Sequence, residues 1–213
     1  MNIQRFVCNP LQENCYVVSD STNEGIIIDC GAYFPAERKA IVEYIRKEGL
    51  EIKHLLATHG HFDHNMGNNT LLDEFELKVE IHPADEYLIT DLDGQCHSFM
   101  GVALGFDAPP VGHFFSEGEA IVFGNHQLEI IPTPGHTPGG VVFHCPEENV
   151  AFSGDTLFSM SIGRTDFEGG SFEAMMMSLH RLPHFLSPDT IILPGHGPKT
   201  TLATELKLNP YLS

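Results

Sequence analysis

The chain is predicted to be an α/β protein in which two β-sheets pack together and helices cover their outer faces. Short apolar runs alternate with turn residues through both halves of the sequence, and amphipathic segments with helical periodicity lie between some of them. With 213 residues, of which 42% are hydrophobic and 19% charged, the chain is long enough to bury a large core. We therefore predict one domain over residues 1–213.

The first half predicts five strands separated by helical segments. The strands are bounded by turn residues and cover residues 3–6, 15–19, 25–29, 52–57 and 78–81. Helices are predicted for residues 35–48 and 65–75, with a helical turn at residues 83–88. In the first helix Ala40, Ile41, Tyr44 and Ile45 share one face, which is typical of a helix that packs on a sheet.

The second half is similar in construction. Strands are predicted at residues 120–123, 128–132, 141–144, 150–153 and 191–194. Residues 171–182 form the predicted helix of this half, and Ser171 is its expected N-cap. Between the halves, residues 90–115 have weak periodicity and many Gly, Pro and Asp residues, so we interpret them as an insertion that could overhang a functional site.

Four metal-binding side chains lie in six residues directly after the predicted strand at residues 52–57. They are His59, His61, Asp63 and His64. Because side chains alternate in an extended segment, His59 and His61 can face one metal position while Asp63 and His64 face another. One loop can therefore bind two ions. Imidazole and carboxylate ligands suit zinc, iron or manganese. The alternative is a solvated histidine-rich loop, which this spacing at a strand end disfavours.

Three further polar side chains follow apolar strands at Gly- or Pro-rich turns. These are His136 in Thr133–Gly140, Asp155 in Ser153–Phe158 and His196 in Pro194–Pro198. Taken singly, they could be a turn histidine, a helix N-cap and a loop residue. Taken with the four side chains of residues 59–64, they complete two coordination spheres.

These residues lie in four ordered motifs, T-H-x-H-x-D-H, P-G-H-T-P-G, S-G-D-T-L-F and P-G-H-G-P. From about Cys15 to the C-terminus the chain resembles the metallo-β-lactamase superfamily and, within it, short glyoxalase II-like hydrolases. The resemblance implies an αββα sandwich of two mixed β-sheets flanked by helices. It also implies that His59, His61 and His136 bind one metal, that Asp63, His64 and His196 bind the second, and that Asp155 bridges them. True β-lactamases usually have a cysteine at the position of Asp155.

The implied activity is metal-dependent hydrolysis of a thioester, such as a hydroxyacyl-glutathione, by a hydroxide that bridges two divalent ions. Zinc is the first expectation for both ions, with iron or manganese as alternatives. Asp63 and Asp155 are the candidate catalytic carboxylates, and we rank metal binding above general-base chemistry for both. Asp29 either accepts a hydrogen bond from a ligand histidine or caps a turn.

Arg164 is the candidate substrate-binding residue, because a guanidinium can bind a substrate carboxylate bidentately. A structural pair with Asp166 is the alternative interpretation. Longer glyoxalase II enzymes carry a C-terminal helical domain that holds glutathione, and we expect none here because only residues 197–213 follow His196.

Two other functions are considered. A persulfide dioxygenase would use one iron on His59, His136 and Asp155, and its relatives share a segment like Gly163–Phe167. Retention of Asp63, His64 and His196 favours the hydrolase. A non-catalytic metal-binding protein would be expected to lack part of the ligand set.

The composition limits partners and location. A net charge of -18, from 29 acidic and 11 basic residues, opposes binding to nucleic acid. We expect a small-molecule partner, no membrane segment and no export signal. Five cysteines without regular spacing predict free thiols and a cytoplasmic location, and we expect Cys15, Cys30 and Cys145 to be buried in the core.

Overall fold

The computed structural model describes residues 1–116 and 118–212. Two six-stranded β-sheets pack against each other, a two-stranded ribbon lies beside them, and helices cover both outer faces. This arrangement confirms the predicted α/β class with two mixed sheets between helical layers.

The first sheet contains the first six strands in sequential order, β1-β2-β3-β4-β5-β6. The strands are β1 (Asn2–Cys8), β2 (Glu13–Ser19), β3 (Glu24–Ile28), β4 (Glu51–Leu56), β5 (Val79–Ile81) and β6 (His113–Phe114). The pairs β1-β2 and β2-β3 are antiparallel, whereas β3 to β6 are parallel. Parallel neighbours require crossover connections, and helices supply most of them.

The second sheet has the order β14-β13-β10-β9-β8-β7, and β11 and β12 form the ribbon. The strands are β7 (Ala120–Phe123), β8 (His126–Pro132), β9 (Val141–Cys145), β10 (Val150–Gly154), β11 (Leu157–Phe158), β12 (Ser161–Ile162), β13 (Ile191–Pro194) and β14 (Thr200–Thr201). β10 and β13 are parallel, so the turns that follow them lie at the same edge of the sheet.

Six α-helices complete the described structure. They are α1 (Pro35–Glu48), α2 (Asn68–Phe75), α3 (Glu86–Ile89), α4 (Leu92–Met100), α5 (Phe172–Arg181) and α6 (Leu202–Leu208). Short 3₁₀ turns occur at Phe62–His64, Pro83–Asp85 and Leu182–His184. Within residues 1–116 and 118–212, no helix has the length and apolar character needed to cross a membrane.

Alternating side chains build three apolar layers. On β3, Ile26 and Ile28 enter the core between the two sheets, and Ile27 enters the core beneath α1 and α2. On β9, Phe143 faces the first sheet, and Val142 faces α5 and α6. This period of two explains why both sheets are apolar on both faces. All five cysteines are free and buried. This confirms the prediction for Cys15, Cys30 and Cys145, and it adds Cys8 and Cys96.

Several elements differ from the prediction. Residues 62–64 form a 3₁₀ turn instead of an extended segment, and α2 begins at Asn68 rather than at residue 65. Helix α4 and strand β6 lie within residues 90–115, where weak periodicity gave no element. The α4 backbone is stabilised locally, since the Asp91 carboxylate accepts from the amide of Gly94 and Gly101 ends the helix.

Candidate metal centre

The structure brings all seven predicted metal-binding side chains together where the strands end. The candidate ligand atoms of His59, His61 and His136 all lie within 4.8 Å of one another. Those of Asp63, His64 and His196 form a second group under the same limit. We call these groups the first cluster and the second cluster.

Asp155 lies between the two clusters. Its Oδ2 is 3.5 Å from Nε2 of His136 and 3.7 Å from Nε2 of His196. Its Oδ1 is 3.3 Å from Nε2 of His64. One carboxylate therefore faces ligand atoms of both clusters, as a bridging ligand requires.

The side chains fit a pair of cations on chemical grounds. Nδ1 of His61 lies 2.8 Å from Nε2 of His136, and Nε2 of His64 lies 3.2 Å from Nε2 of His196. Nε2 of His59 and Oδ1 of Asp155 are buried without a hydrogen-bond partner among the described residues. Close imidazole nitrogens and unpaired buried polar atoms are costly unless something binds them. Mixed imidazole and carboxylate donors suit divalent transition metals.

In several of these histidines Nδ1 makes a hydrogen bond away from the centre, and this bond orients Nε2 towards it. Three histidines donate from Nδ1 to an oxygen behind them: His64 to Asp29 at 2.9 Å, His136 to the Arg164 carbonyl at 2.6 Å, and His196 to the Leu11 carbonyl at 3.0 Å. These bonds set the tautomer that leaves Nε2 with its lone pair facing the centre.

Asp29 contacts a candidate ligand histidine, which is the first of the two roles that the sequence left open. Its Oδ2 accepts from His64, and its two oxygens accept from the amide and hydroxyl of Thr58 at 2.7 and 2.8 Å. Asp29 therefore contacts a candidate ligand and stabilises the start of the loop that carries it. The sequence signal was its position directly after an apolar strand.

Asp85 was not anticipated. It is fully buried, and its carboxylate accepts from the amide of Gly60 at 2.9 Å, the hydroxyl of Thr137 at 2.7 Å and the amide of Gly139 at 2.6 Å. These donors belong to the two loops that carry the first cluster. No motif surrounds Asp85, so only the folded arrangement reveals this link.

Helix α4 also holds the metal-binding loop. The amide side chain of Gln95 donates to the carbonyls of Gly60 and Leu88 at 3.3 and 2.7 Å. Its oxygen accepts from the amide of Phe62 at 3.2 Å. The segment predicted to overhang the site is thus bonded to the loop between His59 and His64.

The charges of the centre favour ionised carboxylates. Burial alone would raise the pKa of Asp155, but the neighbouring His64, His136 and His196 outweigh it and hold that pKa well below its ordinary value. The pKa of Asp63 is also lowered, mainly by His64 and His196 against the effect of burial. Burial, together with the nearby His136, lowers the pKa of His61 to about 3. In the second cluster the carboxylates of Asp63 and Asp155 raise the pKa of His64 and of His196 against the effect of burial. Metals bind neutral imidazole and ionised carboxylate, so a cation held by the second cluster would displace protons from these two rings.

Tight packing positions His136. A Cβ added to the preceding Gly135 would lie 2.4 Å from Cα of Met175 on α5, and the glycine has a φ of +148°. The Gly135 carbonyl also accepts from the amide of Ser171, which is the N-cap of α5 as predicted. The turn can therefore approach the helix only because residue 135 lacks a side chain.

A cavity of about 730 Å³ opens onto both clusters and onto Asp155. Arg164 lines it, but its guanidinium is paired with Asp166, with Nε and Nη2 at 2.7 and 2.8 Å from the carboxylate oxygens. The structural pair is thus present, and a substrate role for Arg164 stays a prediction.

Comparisons with known proteins agree with this geometry. A family model for the metallo-beta-lactamase superfamily matches residues 8–196. The hydroxyacylglutathione hydrolase GloC of Haemophilus influenzae is 36% identical, with coverage of 100% of this chain and 99% of the relative. The crystal structure of BLEG-1, a B3 metallo-beta-lactamase, is 31% identical, has a TM-score of 0.91 and is covered fully in both chains.

The structure of TTHA1623 in a di-iron-bound form is 36% identical with a TM-score of 0.85, and the match covers 98% of this chain and 100% of that one. ETHE1 from Myxococcus xanthus, at 21% identity and a TM-score of 0.78 over 99% of this chain and 84% of that one, shows likeness of fold alone. The family match over most of the chain and the full-length similarity of GloC show that this chain belongs to the metallo-beta-lactamase superfamily of metallo-hydrolases.

Proposed function

We propose that the chain is a dinuclear metal-dependent hydrolase that cleaves a thioester of the hydroxyacyl-glutathione type. The observation that carries the proposal is the position of Asp155, whose carboxylate faces the candidate ligands of both clusters. The full-length similarity to a hydroxyacylglutathione hydrolase supports the substrate class.

In this proposal His59, His61 and His136 hold one divalent cation, and Asp63, His64 and His196 hold the other, with Asp155 shared. Two cations held there would lower the pKa of bound water towards neutrality and would polarise the carbonyl oxygen of the substrate. Zinc is our first choice for both positions, and the di-iron form of TTHA1623 makes iron the alternative.

The protein's own groups orient these ligands and stay ionised. The oxygen acceptors behind His64, His136 and His196 hold each ring in one tautomer. Because neighbouring histidines hold the pKa of Asp155 low against burial, its carboxylate binds cations in preference to carrying a proton. The same reasoning applies to Asp63, so neither is assigned as the general base.

Arg164 is proposed to contact a carboxylate of the thiol half of the substrate. It is half-exposed and lines the cavity. Since Nε and Nη2 are paired with Asp166, an incoming carboxylate would use Nη1 or compete with Asp166. This contact would be weaker than that of an unpaired arginine.

Two other substrates should be assayed beside the thioester. A β-lactam is considered because BLEG-1 is similar over the whole chain. A glutathione persulfide is considered because His59, His136 and Asp155 could hold one iron. The complete second cluster favours the hydrolase over this mononuclear alternative.

The deciding experiment measures metal content on the purified protein alongside three assays: lactoyl-glutathione hydrolysis, oxygen uptake on glutathione persulfide, and hydrolysis of a chromogenic cephalosporin. We expect two metal ions per chain and thioester turnover without oxygen uptake. One iron per chain with oxygen consumption would refute the proposal. Cephalosporin turnover that exceeds thioester turnover would replace its substrate class.

The shared ligand is tested with Asp155→Ala. We expect this variant to retain less than one metal per chain and to lose at least about 10³-fold in kcat, because the change removes one ligand from both ions. Asp73→Ala, an exposed carboxylate on α2, is the matched control. Full metal content with normal activity in Asp155→Ala would exclude a bridging role.

A further inference from the structure

Three aromatic rings form a continuous wall along one side of the cavity. The wall consists of Phe62, Phe99 and Phe167, all of which line the cavity. The ring centroids of Phe62 and Phe99 are 5.9 Å apart, and those of Phe99 and Phe167 are 6.0 Å apart. The wall begins at the first cluster, where the ring of Phe167 is 5.3 Å from that of His61.

Each ring of the aromatic wall is held by a different element. Phe62 is buried at the start of the 3₁₀ turn, and Phe167 lies under the guanidinium of Arg164, whose Cζ is 4.0 Å from the ring centroid. Phe99 lies on α4 and remains 47% exposed. An exposed phenyl ring at the mouth of a catalytic cavity is apolar surface available to a ligand.

The charges around the wall argue against a strongly anionic ligand there. Asp91 and Glu168 line the same cavity. Among the lining residues that the structure describes, Arg164 is the only lysine or arginine, and Asp166 already binds it bidentately. A group with further carboxylates would meet like charges, whereas an uncharged apolar group would not.

We infer that the aromatic wall binds a bulky apolar side group on the acyl half of the substrate, so that an aryl-bearing 2-hydroxyacyl thioester is preferred over lactoyl thioester. The inference rests on the proposed thioester hydrolysis. The thiol half of such a substrate is a charged peptide, which the proposed function places at Arg164, above the ring of Phe167. The uncharged surface of Phe62 and Phe99 beside it complements the acyl half better.

The test compares mandeloyl-glutathione with lactoyl-glutathione, which share the thiol and the 2-hydroxyl and differ only in phenyl against methyl. We expect the metal-loaded enzyme to show a kcat/KM ratio of at least about three in favour of mandeloyl. Phe99→Ala should lower that ratio about three- to tenfold, the range of an aromatic pair. Phe99 is the residue to change because it is half-exposed, which makes loss of folding unexpected.

Phe172→Ala is the matched control, because Phe172 is 55% exposed on α5 and does not line the cavity. Its ratio should equal that of the unchanged enzyme. A ratio near one in the unchanged enzyme, or a ratio that Phe99→Ala leaves within twofold, would overturn the inference while thioester hydrolysis stands.

Calorimetric titration of the metal-loaded protein with the two product acids distinguishes a failure of the aromatic-wall inference from a failure of the proposed thioester hydrolysis. Mandelate should bind at least about threefold more tightly than lactate, and Phe99→Ala should remove the difference. If neither thioester is cleaved but this preference and its loss are observed, the aromatic wall is supported and the proposed reaction is refuted. Equal dissociation constants for both acids would contradict the wall itself.

Discussion

At the scale of single residues, Asp85 is the connection that joins the two loops of the first cluster. Its oxygens accept from Gly60 in one loop and from Thr137 and Gly139 in the other. Burial is the largest influence on its pKa and raises it, and the three donors partly offset that shift. The position of both loops thus depends on one buried carboxylate.

Asp85→Asn is expected to lower the free energy of unfolding by about 1–3 kcal/mol, because the amide NH₂ would face a buried donor. Metal affinity should fall about tenfold, since the loops that orient His61 and His136 loosen. Chemical unfolding and competitive metal titration measure the two effects. Asp73→Asn on α2 is the control, and unchanged affinity in Asp85→Asn would show that the loops are positioned independently of Asp85.

At the scale of elements, β2 holds the end of β13 and thereby the position of His196. The Tyr16 hydroxyl donates to the Pro194 carbonyl at 2.7 Å, and Nδ2 of Asn14 donates to the same carbonyl at 2.9 Å. The amide of Asn14 donates to the Gly195 carbonyl at 2.7 Å. These bonds cross from one sheet to the other directly before the second-cluster histidine.

Tyr16→Phe should cost about 0.5–1.5 kcal/mol of unfolding free energy near pH 8, the usual net value of one hydrogen bond. The Pro194 carbonyl keeps its bond from Asn14, so a larger loss is not expected. Denaturant unfolding measures the difference, and a variant as stable as the unchanged protein would mean that this hydroxyl adds no net stability.

Ionisation of the same hydroxyl gives a pH dependence. Burial raises the pKa of Tyr16 well above its ordinary value of 10. Because the pKa of Tyr16 is higher in the folded state than in the unfolded state, the unfolded chain loses its proton first. The contribution of Tyr16 to the free energy of unfolding is therefore fully present below pH 10 and is lost as the pH rises beyond it. Between pH 8 and pH 11 the unchanged protein should therefore lose about 1.4 kcal/mol more stability than Tyr16→Phe. An equal loss in both proteins would contradict this assignment.

Helices α1 and α4 show which elements can be predicted from sequence patterns and which cannot. Helix α1 has the predicted bounds, Pro35–Glu48, because its start proline and apolar face are local features. Helix α4 has only two fully buried residues, Leu92 and Cys96, so its periodicity is faint and no element was predicted there. Its bonds from Gln95 to the metal-binding loop depend on tertiary position alone.

At the scale of the whole molecule, the candidate metal centre is also expected to contribute to the stability of the fold. Loops from both sheets converge on it, and unpaired buried atoms such as Nε2 of His59 and Oδ1 of Asp155 lie inside it. Anything that binds only the folded state stabilises that state by mass action. The cations proposed here should therefore hold the two sheets together at this edge.

Removing the metals with a chelator should lower the melting temperature by about 5–15 °C, the equivalent of a few kcal/mol for a chain of this size. Scanning calorimetry before and after chelation, with metal added back, measures the effect. Asp155→Ala should respond much less to the chelator. An unchanged melting temperature after verified metal removal would mean that bound metal contributes little to folding.

Local sequence determines the chemistry available to this protein: His59 to His64, His136, Asp155 and His196 each follow an apolar strand at a turn, and turn and strand patterns are short-range. Only the tertiary structure decides that the two clusters face one carboxylate, that Asp85 joins their loops, and that Phe62, Phe99 and Phe167 share one wall. These contacts join residues far apart in the chain, which meet because sheet packing brings strand ends to one edge. Side-chain identity sets which atoms can bind metal, and packing sets what else lies beside them.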